Sequence, residues 1–265
     1  MSGKLTELEE TLKKYTDGKP AVIAFSGGVD STTLAYVCKD AGIDVRLVMC
    51  DTLIMPDDAL VKRAEKRAAG TGYSLDLISI DVLSDPLIKS NDVQRCYRCK
   101  TLMCREFRRC AEKTGAAVIF DGTNADDLKQ FRPGCKAMHE NGVVSPFAIC
   151  GLTKNDVRAV ACSFGLEVST EPSSPCMLTR FPYGTDMERS SIALVTKGEH
   201  ILRSFGFRAC RLRAYTGYYS IEIEKEKFTE FEKNKDDIIK ALEDSGIYNA
   251  VLDEKGLRSG TMDGQ

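Results

Sequence analysis

Six consecutive residues, Ser26-Gly27-Gly28-Val29-Asp30-Ser31, follow directly on the apolar run Ala21 to Phe25. The two glycines allow a tight turn and close backbone approach, and Ser26 and Ser31 bring hydroxyl donors. Behind them Leu34, Val37, Cys38 and Ala41 recur three and four apart, the period of a helix. The stretch reads as a buried strand, a glycine turn, and a helix whose N-terminus points back over the strand. Backbone N–H groups in such a turn converge on an anion, and the helix dipole favours negative charge there. Asp30 would repel a phosphate unless a divalent cation sat between them, which gives Mg²⁺ a place. The plainer alternative is an ordinary strand-to-helix connection. Six such residues directly after a buried strand favour the phosphate reading.

A second cluster, Asp121-Gly122-Thr123-Asn124-Ala125-Asp126-Asp127, follows the strand-like run AAVIF. Alone, it also matches an Asx-type turn with solvated acids. Cys96 and Cys99 form a C-x-x-C in the loop expected after the third strand. That spacing suits a redox pair or half a zinc site, and it also arises by chance in a cysteine-rich chain. Arg211 and Arg213 lie two apart in a strand-like run, so they project from one face. Two guanidinium groups there can hold a phosphate through several charge-assisted hydrogen bonds. An isolated R-x-R is otherwise a solvated edge-strand pair.

SGGVDS after a strand resembles the PP-loop, the pyrophosphate-binding signature of the ATP pyrophosphatase superfamily. It is not a Walker A loop, whose G-x-x-x-x-G-K-[ST] spacing is absent. A wider set of motifs resembles the LarE family, the sulfur transferases of nickel-pincer nucleotide biosynthesis. The set is SGGVDS, DGTNADD with a following RPG, PCMLTRFPYG, RLR and GLRSG. The motifs run along nearly the whole chain, and PCMLTRFPYG followed by RLR is the specific part.

The resemblance implies a defined reaction. ATP is cleaved between its α and β phosphates, and AMP is placed on a carboxylate of a pyridinium dicarboxylate mononucleotide. Sulfur then displaces AMP to leave a thiocarboxylate. Making AMP the leaving group turns one difficult step into two easier ones. The glycine loop with Mg²⁺ stabilises the departing pyrophosphate.

Residue by residue, the resemblance assigns Ser26, Gly27, Gly28, Asp30, Ser31, Gly122, Thr123 and Asp126 to ATP, with Asp30 also catalytic. Thr179, Arg180, Arg211 and Arg213 match the substrate-phosphate site, Thr179 standing where Ser is usual. Glu199 and Glu230 match acids associated with a divalent metal. Cys176 matches the cysteine that simple members sacrifice as sulfur donor. This chain departs from that pattern by having Cys96-x-x-Cys99. With Cys176 these make three thiolates, the number a 4Fe-4S cluster needs when one iron is left for exogenous sulfide. A cluster on Cys96, Cys99 and Cys176 is therefore expected, with a sacrificial Cys176 as the alternative.

The elements that must position these residues alternate regularly. Leu5, Leu8 and Leu12 share one face of a short charged helix. IDVRLVMCDT reads as a second strand, Pro56-Asp57-Asp58 opens a helix running to about Ala69, and SLDLISID is a third strand. Residues 97–114 are helical, AAVIF is a strand, and Thr153 caps another helix. Strand and helix in turn argue for an α/β fold, a doubly wound parallel sheet with ligands beyond the strands' C-terminal ends.

A PP-loop domain is expected over 1–175 and an active-site linker over 176–190. A smaller C-terminal α+β domain, for substrate phosphate and oligomerisation, is expected over 191–265. Within the last, Ile192–Phe205 and Phe228–Asp244 read as helices, and 210–215, 219–224 and 248–252 as strands.

Composition narrows the setting. A net charge of −2 over 265 residues offers no global basic field and argues against nucleic acid. No apolar run approaches the ~20 residues of a membrane span, so a cytoplasmic protein is expected. Eleven cysteines, an odd number, point to free thiols or metal ligands. Cys38, Cys50, Cys110, Cys150, Cys162 and Cys210 are expected in the core, while Cys104 and Cys135 are ambiguous. His139 and His200 read as structural or surface residues. The expected partners are a small nucleotide substrate, a sulfide source and further copies of the chain. Rival readings are a tRNA thiolation enzyme of the same superfamily and a non-catalytic nucleotide-binding iron–sulfur sensor.

Overall fold

The computed structural model describes residues 2–54, 58–129, 132–172 and 175–258. In chain order the first half holds α1 (Ser2–Thr16), β1 (Ala21–Ala24), α2 (Val29–Asp40), β2 (Val45–Asp51), α3 (Asp58–Thr71), β3 (Leu75–Ser79), α4 (Pro86–Lys89), α5 (Arg95–Thr114) and β4 (Val118–Phe120). Then come α6 (Pro133–Glu140), α7 (Pro146–Ile149), α8 (Lys154–Ser163), α9 (Arg189–Ser204), β5 (Cys210–Tyr215), β6 (Tyr218–Ile223), α10 (Phe228–Lys233), α11 (Lys235–Glu243) and β7 (Ala250–Leu252). They form two units. One comprises residues 2–53, 58–82 and 94–172, the other 54, 83–93 and 175–258.

The first unit is built on a parallel sheet of order β3-β2-β1-β4. Side chains alternate across a strand, and both faces here are apolar. Ala21, Ile23, Val45, Leu47, Val118 and Phe120 join Leu8, Leu12, Leu34, Val37 and Val157 of the helices on one face. Val22, Val48 and Ile119 meet Cys104, Phe107 and Met138 on the other. This is the expected α/β class. Strand order reverses at β1, which has β2 on one side and β4 on the other. The crevice beyond the ends of β1 and β4 is thus a topological switch point, where such sheets bind ligands.

The second unit holds a three-stranded sheet of order β5-β6-β7. β5 and β6 pair antiparallel from Cys210↔Ile223 to Tyr215↔Tyr218, and β7 runs parallel to β6. Leu212, Ile221 and Ile223 are fully buried on one face of the hairpin, and α9 packs against β5. The opposite face carries Arg211, Arg213 and Tyr215 on β5, with Tyr218, Ser220 and Glu222 across from them. Residues 83–93 belong to this unit through backbone and amide bonds. The Asn91 amide donates to the Phe181 and Pro182 carbonyls at 3.1 and 2.8 Å, and the Met187 N–H donates to Lys89 at 2.7 Å.

Several local expectations need correction. Cys96 and Cys99 lie in the first turns of α5, not in a loop, because the helix starts at Arg95. Cys162 is exposed rather than core. On α8 the buried positions are Val157, Val160 and Ala161, and Cys162 sits about 140° round from Val157. Cys50 is only half-buried, although burial pushes its thiol up to about 12. The helix expected over 228–244 is two helices, α10 and α11. Asn234 breaks it by turning its side-chain amide onto the Glu230 carbonyl at 2.8 Å, a local bond that competes with the helix ladder. Pro56 and Asp57, expected to open α3, lie outside the described residues. Among the described residues no helix is long and apolar enough to cross a membrane.

Candidate functional site

At the switch point the chain turns from β1 into α2 through Ser26-Gly27-Gly28. Gly27 has φ +67°, and a Cβ there would come within 2.8 Å of both Cα and Cβ of Ala64, so α3 backs the turn at glycine distance. Arg67, one turn further along α3, donates to the Gly27 carbonyl and also to Glu171. Ser26 N–H donates to Ser31 Oγ at 3.2 Å, and Gly28 N–H donates to Ser26 Oγ at 3.3 Å, which fixes the two hydroxyls inside the loop. No side chain caps α2, whose N-cap is Gly28, so its first-turn donors are available to an anion.

The loop after β4 closes on this one. A Cβ on Gly122 would lie 2.7 Å from Asp30 Cβ and 3.0 Å from the Asp30 carbonyl carbon and Ser31 N, so only glycine fits the approach. Asp121 is buried and accepts from Thr123 N–H at 3.1 Å, Thr123 Oγ1 at 2.8 Å and Ser145 Oγ at 2.6 Å. Asn124 Oδ1 accepts from the Asp126 and Asp127 N–H groups at 3.0 and 3.3 Å. The segment is thus an Asx-type turn that also packs against the start of α2, with Asp121 buried rather than solvated.

Lys154 ties the two loops together. Its ammonium pairs with one oxygen of Asp30, and its N–H donates to Asp126 at 2.9 Å. That N–H, with the Lys129 ammonium, holds the Asp126 carboxyl below the usual range. The second Asp30 oxygen is buried and has no partner. An unsatisfied buried carboxylate oxygen beside this glycine turn fits Mg²⁺, which is held by one or two carboxylates plus phosphate oxygens.

In the second unit Thr179 is the centre of a charged cluster. Its hydroxyl donates to the Cys176 carbonyl at 2.7 Å and accepts from Arg180 at 2.9 Å, while its own carbonyl accepts from Arg213 at 2.7 Å. Arg180 is buried and paired with Glu199 at 2.6 Å, and Arg213 is buried and paired with Glu222 at 2.7 Å. Glu199, which the resemblance linked to a metal, also accepts from Arg203 at 2.7 Å and from Leu212 N–H at 3.2 Å, so its carboxylate is occupied. Glu230 pairs with Lys227 at 2.6 Å.

Arg211 differs from its neighbours. It is only 9% exposed, has no carboxylate partner among the described residues, and meets the Arg258 carbonyl. Burial lowers the pKa of this guanidinium, and Arg180 and Arg213 beside it push the same way. Three buried guanidinium groups against two buried carboxylates leave an excess of positive charge, which an anion would relieve.

Cys176 is exposed at the start of the short turn Met177–Arg180, in the same unit as the arginines. Cys96 and Cys99 are half-buried, three residues apart on α5 of the first unit. Among the described residues no three His, Cys, Asp or Glu side chains lie together as a metal site. The pairs Lys154–Asp30, Arg67–Gly27 and Glu222–Arg213 escaped the sequence reading. Only Glu222 carried a signal, as a lone acid among alternating apolar positions of β6.

No family model matches the chain. It is 33% identical to the pyridinium-3,5-bisthiocarboxylic acid mononucleotide synthase of Lactiplantibacillus plantarum over 248 residues, 93% of this chain and 90% of that one. It is 30% identical to an uncharacterized protein of Methanocaldococcus jannaschii over 256 residues, 97% of this chain and 98% of that one. Cytoplasmic tRNA 2-thiolation protein 1 of Caenorhabditis elegans is 32% identical over 131 residues, 44% of this chain and 35% of that one.

Proposed function

This chain belongs to the LarE family, that of the pyridinium-3,5-bisthiocarboxylic acid mononucleotide synthase, and from that premise we propose that it makes a thiocarboxylate on a pyridinium carboxylate mononucleotide. It is an ATP-dependent sulfurtransferase. ATP binds at the β1–β4 crevice and the substrate carboxylate attacks its α-phosphate, so that the acyl-adenylate forms and pyrophosphate leaves. Sulfur then attacks the acyl carbon and AMP departs. Gly27, Gly28 and the first turn of α2 receive phosphate oxygens, helped by Ser26 and Ser31, while Gly122, Thr123 and Asp126 line the opposite wall. The free oxygen of Asp30 would hold Mg²⁺, which would supply charge neutralisation for the departing pyrophosphate. Arg211, Arg213, Arg180 and Thr179 take the phosphate of the mononucleotide.

The observation that carries this reading is the join between the two loops, where Gly122 meets Asp30 and Lys154 bridges Asp30 to Asp126. We propose that the reaction runs in the cytoplasm, where free thiols persist, in a homo-oligomer whose second unit supplies the substrate-phosphate and assembly surfaces.

For the sulfur, we assign Cys96, Cys99 and Cys176 to a 4Fe-4S cluster, which would supply a reloadable sulfide. The C-x-x-C on one face of α5 supplies two thiols as a pair, and Cys176 lies next to the Thr179 carbonyl network. The test combines anaerobic iron and sulfide analysis with turnover on the pyridinium carboxylate mononucleotide, reading pyrophosphate and thiocarboxylate. The cluster assignment expects bound iron that falls in each Cys→Ala variant and an unchanged residue-176 peptide. A colourless protein that turns over once and leaves dehydroalanine at 176 would make Cys176 the donor instead. Absence of pyrophosphate release with this substrate would refute the reaction itself.

A further inference from the structure

The polar face of the second unit's sheet extends past its arginines. Tyr215 follows Arg213 by two residues on β5, so both point from the same face, about 7 Å apart along the strand. Directly across the hairpin from Tyr215 is Tyr218. Their rings are stacked, with centroids 5.0 Å apart and planes 11° from parallel. Tyr218 is 41% exposed and Tyr215 is half-buried. The turn between them, Thr216-Gly217, is too short to cover the pair. A buried guanidinium pair and an open aromatic stack therefore lie in adjacent rows of one rigid antiparallel hairpin.

From this juxtaposition we infer that Tyr215 and Tyr218 form the platform on which the positively charged pyridinium ring of the mononucleotide rests while Arg211 and Arg213 hold its phosphate. The inference builds on the proposed function and adds the part of the substrate that function leaves unplaced. In a 5′-mononucleotide one ribose separates phosphate from ring, a span comparable to the two-residue step from Arg213 to Tyr215. A phenol face is electron-rich and attracts a cation lying over it, and flat rings stack in offset pairs. Burial raises the Tyr215 phenol above its ordinary range, so the ring stays neutral and keeps its donor O–H. The platform makes the hairpin selective for a cationic ring over a neutral one on the same ribose phosphate.

The test is calorimetric, on the full chain, with three probes: nicotinamide mononucleotide, its reduced dihydro form with a neutral ring, and inorganic phosphate. The wild-type protein should prefer the oxidised form by roughly three- to thirtyfold. Tyr215→Leu and Tyr218→Leu should abolish that preference and leave phosphate affinity unchanged, whereas Tyr215→Phe should keep it. Arg211→Ala should weaken all three probes equally. Equal binding of the oxidised and reduced forms by wild-type protein would overturn the platform with the arginine site intact. So would a preference that survives both Leu substitutions. Wild-type protein that binds none of the three would overturn the arginine reading, and the platform with it.

Discussion

Substituting Gly122→Ala tests whether the two loops must meet as closely as they do. Gly122 is not in the left-handed region, so alanine is allowed by its backbone and the effect is steric alone. The added Cβ would stand 2.7 Å from Asp30 Cβ and 3.0 Å from two backbone atoms, Asp30 C and Ser31 N. Ordinary carbon contacts lie near 3.5–4.0 Å, so the loops must part by about 1 Å. No flexible side-chain tip can yield, because the obstructing atoms are at the root of Asp30 and in the backbone of α2. Overpacking of this kind costs about 1–3 kcal/mol of stability. A shift of that size at reacting groups costs about a hundredfold in rate. The assay is pyrophosphate release at saturating mononucleotide with ATP varied, alongside thermal melting by circular dichroism. The expected result is a folded protein with the rate cut about a hundredfold and a raised KM for ATP. A variant with wild-type rate and KM would refute the claim that Asp30 and Gly122 are walls of one nucleotide site.

Arg211→Ala should raise the KM for the mononucleotide more than tenfold, since a charged hydrogen bond is worth about 1.5–3 kcal/mol. The KM for ATP should hardly move, and equal losses for both substrates would make Arg211 a structural residue. Asp156 is held at about 2 by the Thr153 N–H, the Lys4 ammonium and the Thr153 hydroxyl, below the ~3.9 of an unfolded chain. Its folded value is depressed, so its stabilisation is present above about 4 and is lost as pH falls towards 2. Asp156→Asn should therefore lower the melting temperature at pH 7 and have little effect near pH 2. Melts that differ equally at both pH values would remove the linkage.

Much of this architecture was legible because it repeats at short range. The unbroken apolar run Ala21 to Phe25 marks β1, the helical period of Leu34, Val37, Cys38 and Ala41 marks α2, and Thr153 with Asp156 makes the capping box that starts α8. What escaped was set by contacts far apart in sequence. Lys154 finds Asp30 and Asp126 only once α8 has packed beside α2, and nothing in its own neighbourhood marks it. Residues 83–93 read as a loop of the first unit, yet Asn91 satisfies carbonyls at 181 and 182. Cys162 was misjudged for a different reason. Cysteine is apolar enough to pass as a core position, and a one-residue error in helix phase turns it outward. Glu199 was legible as an acid on a helix but not as a buried one, because Arg180 and the Leu212 N–H reach it from other segments and only Arg203 lies on its own helix.

The order β3-β2-β1-β4 also bears on how the site comes into being. Ala21 pairs with Val118, so the crevice exists only after a loop of about a hundred residues has closed, at a cost of about 4 kcal/mol of chain entropy beyond a constant. β4 is three residues long and ends the strand order, with β1 on one side and only a single bridge, Phe120↔Val144, on the other. A seam closed this late by so short a strand is expected to open more readily than the pairing of β1 with β2. A nucleotide bound across it, as proposed, would act as a clasp by binding the closed seam and not the open one. Amides of residues 118–123 should accordingly exchange with solvent faster than those of β1 and β2 in the free protein, and slow when ATP is added.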